Sequence, residues 1–249
     1  ILSTSESLLG SEILDNIFIS TSEEIWTLRN AQGIPIRQFP ALASQPVQLQ
    51  GNRKSGFWSL QFQKENNFLE VIYFNSRGEV IWSKPVSKNT DLWSQPKLNY
   101  ISKRDQLWIS YTTASIHHAY SPLVELWNSK GEKIKIFPYS DRGVLLDTCK
   151  TVNDEFLVSR DIPSSPYTVP LFSFLELLTP DSKPKSIYQA GDNYLISSIQ
   201  CRPDAIWALQ KSVLGSQSTL LVELSPKMEE KNVIVLKEPA WKIHACSLQ

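Results

Sequence analysis

One order of polar and apolar positions recurs along the chain: a small polar or acidic residue, a spacer, then an apolar pair. It reads DNIFIS from Asp15, SGFWSL from Ser55, DQLWIS from Asp105, DEFLVS from Asp154 and DAIWAL from Asp204. The second apolar positions, Phe18, Trp58, Trp108, Leu157 and Trp207, are separated by 40, 50, 49 and 50 residues. A near-constant interval of this size marks a stacked supersecondary unit. Each copy is followed by two more β-rich runs joined by a polar turn, as in LEVIYF, NSRG, EVIW and in LVELW, NSKG, EKIKIF. Gly33, Gly78 and Gly131 end those turns, where a tight hairpin needs positive φ or a bulge. In the fourth and fifth units TPDSKPK and SPKMEEKN stand in place of the glycine turn and predict longer connections. A further strand is predicted ahead of each copy, at 46–50, 97–102, 145–149 and 194–200. Long patterns of helical period are absent, and the 15 prolines fall mainly between β runs, where they end strands without removing ladder hydrogen bonds.

Four up-and-down strands per unit, repeated five times, resemble β-propeller repeats, in which circular packing of sheets hides most strand edges. The resemblance covers nearly the whole chain and concerns architecture. No WD dipeptide in register, kelch double glycine or Asp box assigns it to a named repeat family. It implies an all-β, five-bladed β-propeller of four-stranded antiparallel blades in one domain, 1–249. The blades are expected at 13–40, 46–84, 96–137, 144–189 and 194–236. WKIHACS, Trp241 to Ser247, aligns with the predicted innermost strand Val144 to Lys150. Residues 241–248 are therefore expected to close the ring beside Ile17 to Ser20, with SLLGSEIL, Ser7 to Leu14, as the rival for the same slot. The short first interval predicts an abbreviated first blade.

Charge and composition narrow the function. Twenty-five Lys and Arg balance 25 Asp and Glu, so no basic field attracts nucleic acid or an anionic membrane. The longest apolar runs, such as FLEVIYF and LFSFLELL, fall far short of the roughly 18 residues that span a bilayer, predicting a soluble chain without a transmembrane segment. The first residue is Ile1, which fits a trimmed piece or a mature form whose export signal has been removed. Cys149, Cys201 and Cys246 are read as buried small apolar residues, too few and too scattered for a disulfide framework or a zinc site.

Candidate chemistry is sparse. Trp58, Trp108 and Trp207 share one register inside apolar strands, which favours packing between sheets over sugar stacking. Asp15, Asp105, Asp154 and Asp204 precede strands and suit turns. The long connections are predicted at 85–96, 111–122, 159–170 and 210–218. In a four-stranded blade these second-to-third and blade-to-blade connections share one face. That face is the candidate contact surface, with Trp93, His117, His118, Tyr120, Tyr139, Arg142, Arg160, Asp161 and Tyr167 as its aromatic and polar groups. His117 and His118 are adjacent and lack a third ligand by spacing, so no metal site is expected. Asp147 and His244 share a register in two innermost strands and are candidates to line the central channel.

No GxSxG, HExxH, GxGxxG or P-loop is present, so no catalytic residue and no cofactor is assigned. The favoured reading is a non-enzymatic binding module, scaffold or assembly factor that engages a protein partner through the long-loop face. The alternative is a glycan-binding or glycan-hydrolysing propeller with its site at the channel, against which Asp147 is the one clear acid where two carboxylates are normally needed.

Overall fold

The computed structural model describes residues 7–14, 17–21, 25–29, 32, 34–40, 46–52, 56–63, 68–75, 77, 79–87, 91–92, 96–101, 106–114, 120–138, 143–151, 153, 155–163, 170–179, 184–213, 218–237 and 240. Side chains are described for part of these, and for none in 7–21 or 46–52. Every described element is a β-strand, and five antiparallel sheets follow one another along the chain.

The first sheet is β1 (Ser7–Leu14), β2 (Ile17–Thr21), β3 (Ile25–Arg29) and β4 (Pro35–Pro40). The second is β5 (Pro46–Asn52), β6 (Gly56–Gln63), β7 (Phe68–Asn75) and β8 (Val80–Ser87). After the two-residue β9 (Asp91–Leu92), the third contains β10 (Lys97–Ile101), β11 (Gln106–Ala114), β12 (Tyr120–Asn128) and β13 (Lys133–Pro138), with β9 paired to β11. The fourth is β14 (Val144–Lys150), β15 (Phe156–Pro163), β16 (Pro170–Leu178) and β17 (Pro184–Gln189). The fifth is β18 (Tyr194–Cys201), β19 (Ile206–Ser212), β20 (Thr219–Leu224) and β21 (Glu230–Leu236). In each sheet the four strands pair in chain order. The chain divides into two compact units, one of 1–91, 98–109 and 125–136, the other of 92–97, 110–124 and 137–249.

The recurring apolar pair explains this order. It falls on the second strand of each sheet, which has a strand on both edges and must tolerate burial on both faces. Phe57 to Gln61, Leu107 to Thr112 and Phe156 to Asp161 are buried without a break. The fourth strands behave oppositely: Val80, Ile81, Ser83 and Lys133 to Ile136 are exposed, with Trp82 half-buried, and β21 is exposed to Val235. A feature with no sequence signature also repeats. The first strands β5, β14 and β18 each slip register at one place, between Pro46 and Gln48, Leu145 and Asp147, and Ile196 and Ser198. A bulge there bends the strand and increases its twist.

Three hairpins between third and fourth strands share one design. The Asn75 Oδ1 accepts from the amides of Arg77 and Glu79, while its Nδ2 donates to Glu79 Oε2 at 2.6 Å. Asn128 repeats this with Lys130 and Glu132. Gly131 takes φ 78°, and a Cβ there would meet the Trp82 ring at 2.9 Å. In the fifth sheet the Ser225 hydroxyl replaces the asparagine, accepting from Lys227 and Glu229, and Met228 occupies the positive-φ place at 70°. SPKMEEKN is thus a turn of the same length as the glycine turns, not a longer one. Gly33, Gly78 and residues 180–183 of the fourth connection lie outside the described residues.

Two expectations are corrected. β1 pairs with β2, opposite Ile17 to Thr21, and β3 takes the other edge of β2. The rival segment Ser7 to Leu14 therefore holds the slot beside Ile17 to Ser20. Residues 241–249 themselves lie outside the described residues. Cys149 and Cys201 are not independent apolar residues: they form a disulfide between the ends of β14 and β18, with Cα atoms 5.7 Å apart.

Candidate functional site

The long connections shrink because their flanking strands run further than the polar residues suggest. β11 continues to Ala114, β15 to Pro163 and β19 to Ser212. Arg160 and Asp161, expected as loop contacts, are therefore strand residues and are buried. The Arg160 Nη2 donates to Glu176 Oε1 on β16, and its side chain lies against Gly143, where a Cβ would sit 2.8 Å from the Asp161 carbonyl oxygen. Asp161 pairs across the ladder with Ser173. Burial pushes its carboxyl up to about 7, partly offset by the Ser173 hydroxyl, which hydrogen-bonds it. The sequence signal for this burial is the cross-strand pairing of polar with polar residues, visible only once the register is known.

Trp93, His117, His118, Tyr139, Arg142, Tyr167 and His244 lie outside the described residues. Tyr120 is the first residue of β12, and its side chain is likewise not described. The described side chains beside the same connections include Phe172, 43% exposed and in ring contact with Phe174 at 6.2 Å. Tyr194 at the start of β18 shares a hydrogen bond of 3.2 Å with Ser218 at the opening of β20. Phe172 was missed because LFSFLELL reads as a core strand. Its alternation places Phe172, Phe174 and Glu176 on one side and Ser173, Leu175 and Leu177 on the other.

Asp147 is fully engaged in structure. Its Oδ2 accepts from the Ile199 amide at 2.9 Å and the Ser198 hydroxyl at 3.1 Å. Its Oδ1 accepts from the Thr148 amide at 3.0 Å and faces the Lys97 ammonium at 3.3 Å. One carboxylate thus joins the first strands of the third, fourth and fifth sheets. A general acid or nucleophile needs a face open to substrate, and here both oxygens are occupied by backbone, hydroxyl and ammonium donors.

No family model and no curated protein sequence matches the chain. Solved structures do match in fold. The Neurospora crassa Pan2 WD40 domain aligns with a TM-score of 0.60 at 13% identity, over 97% of this chain and 76% of that one. The BBS1N structure, in complex with ARL6DN, aligns at 0.56 and 8% identity, over 91% of this chain and 65% of that one. The Dos1 propeller aligns at 0.53 and 10% identity, over 93% of this chain and 57% of that one. At such identities the likeness concerns fold alone, and with the repeated four-stranded sheets it makes this a β-propeller repeat fold.

Proposed function

We propose that this chain is a non-enzymatic, protein-binding propeller of five blades, using the side that carries the second-to-third and sheet-to-sheet connections as its contact surface. The observation that carries the reading is the combination of repeated four-stranded sheets, similar in fold to WD40 and propeller domains, with a candidate acid wholly committed to holding three of them together. Trp93, Tyr120 and Tyr167 are the proposed anchors, because aromatic side chains supply large contact area at low ordering cost. Phe172 joins them as an exposed ring beside the 164–169 connection. Arg160 and Asp161 are set aside as contacts, since their burial removes them from a partner's reach. His117, His118, Tyr139 and Arg142 remain proposed as the polar rim. The test is affinity capture from native extract with the wild type, with Trp93→Ala, Tyr120→Ala and Tyr167→Ala combined, and with Lys130→Ala and Glu132→Ala in the opposite hairpin. A defined protein captured by the wild type and the hairpin variant, and lost from the triple variant, supports the reading. Hydrolysis of a glycoside that disappears in Asp147→Asn would replace it with the glycan alternative.

A further inference from the structure

We infer that Cys149 and Cys201 are joined as a cystine in the mature protein, and hence that this chain completes its folding in an oxidising compartment. Cys149 is the penultimate residue of β14 and Cys201 the last of β18, the first strands of consecutive sheets, and β14 lies directly beside β18. Their Cα atoms stand 5.7 Å apart, inside the span a disulfide requires, across 52 residues of sequence. Both are partly buried against the apolar cluster shared by the fourth and fifth sheets, yet neither is sealed from solvent. Each also borders a tight turn closed by a backbone hydrogen bond, Thr151 N to Glu155 O and Arg202 N to Ala205 O. Each sulfur is thus carried where a strand gives way to a hydrogen-bonded turn.

A metal is the other common reason for cysteines to converge. It needs further ligands, and among the described residues no group of three or more His, Cys, Asp or Glu gathers. Oxidation removes two protons and two electrons from the thiols. A disulfide-bearing oxidant, of the kind that oxidising compartments maintain, accepts both and leaves as a dithiol. In a compartment held reduced by small thiols the pair would stay open. The bond crosses from one sheet to the next, so it fixes a contact that hydrogen bonds within a sheet do not.

The experiment counts thiols in the protein from its own cells, alkylated at lysis and denatured before mass analysis. One of the three cysteines should be alkylated before reduction and all three after it. Cys246→Ser should keep the cross-link, and Cys149→Ser or Cys201→Ser should remove it. Reduction of the purified wild type should lower Tm by roughly 5–15 °C, with no such shift in the doubly substituted Cys149→Ser and Cys201→Ser protein. Three alkylated thiols before reduction, or a cross-link that depends on Cys246, would overturn the inference whether or not any variant folds.

Discussion

Trp58 and Leu157 hold the same place in the repeat, yet the contacts around them are built differently. Trp58, fully buried on β6, lies between Tyr73 at 5.0 Å and Tyr100 of the next sheet at 4.5 Å between ring centres. Further out, Trp82 donates from its indole to the Ser129 carbonyl and covers Gly131, while Lys133 bonds the Val86 carbonyl, the Glu125 carboxylate and the face of Trp127. Around Leu157 the contact between the fourth and fifth sheets is aliphatic, with small residues such as Ala190 and Ala208. There the Ser159 hydroxyl donates to the Ile196 carbonyl, the Ile196 amide donates to Ser173, and the Asp147 carboxylate and a disulfide complete the join. Large rings fill the first contact. Where the repeat supplies a smaller side chain, polar links to the first strands and a covalent one add to aliphatic packing.

That contrast predicts a ranking. Trp58→Ala should cost about 3–5 kcal/mol, because the cavity it leaves is walled by rings that cannot collapse into it, and denaturant midpoints should show a larger loss than for Leu157→Ala. Equal losses would mean that ring packing adds nothing beyond size. Asp147→Ala should cost about 2–4 kcal/mol by leaving the Ile199 amide and Ser198 hydroxyl without their acceptor. Asp147→Asn, which keeps one carbonyl acceptor, should cost less, and a silent alanine would break the claim that this carboxylate joins the sheets.

The fourth sheet should also respond to pH. The folded Asp161 carboxyl titrates at about 7 rather than 3.8, so between those values the folded state holds a proton that the unfolded state has lost. Stability should therefore fall as pH rises from about 4 to about 7 and change no further from this group above it. Asp161→Asn should flatten that slope and raise stability at pH 8 by an amount on the order of 1–3 kcal/mol, read from urea unfolding at several pH values. The smallest effect expected is Gly131→Ala, at about 1–2 kcal/mol, from positive φ and the approach to Trp82.

The repeat was legible in the sequence because a doubly covered second strand needs apolar residues on both faces, and DQLWIS and its relatives carry that requirement in six residues. The hairpin at Gly131 was legible because glycine marked its positive φ, whereas the turn at Met228 was expected but read as too long, because a buried methionine gives no signal of positive φ. The disulfide was hidden by its 52-residue separation, which acquires meaning only when β14 and β18 become neighbours. Arg160 and Asp161 misled for a related reason: charge suggested a loop, whereas Glu176 and Ser173 on the next strand provide the partners that permit burial.

In the proposed function, binding falls to the long connections and structural duty to the sheets. Hydrogen–deuterium exchange of the chain with and without its captured protein partner tests this most directly. New protection is expected at 88–96, 115–119, 139–143, 164–169 and 213–218, with the hairpins at 75–79, 128–132 and 225–229 unchanged. Protection confined to those hairpins, or to the exposed strand β21, would contradict it.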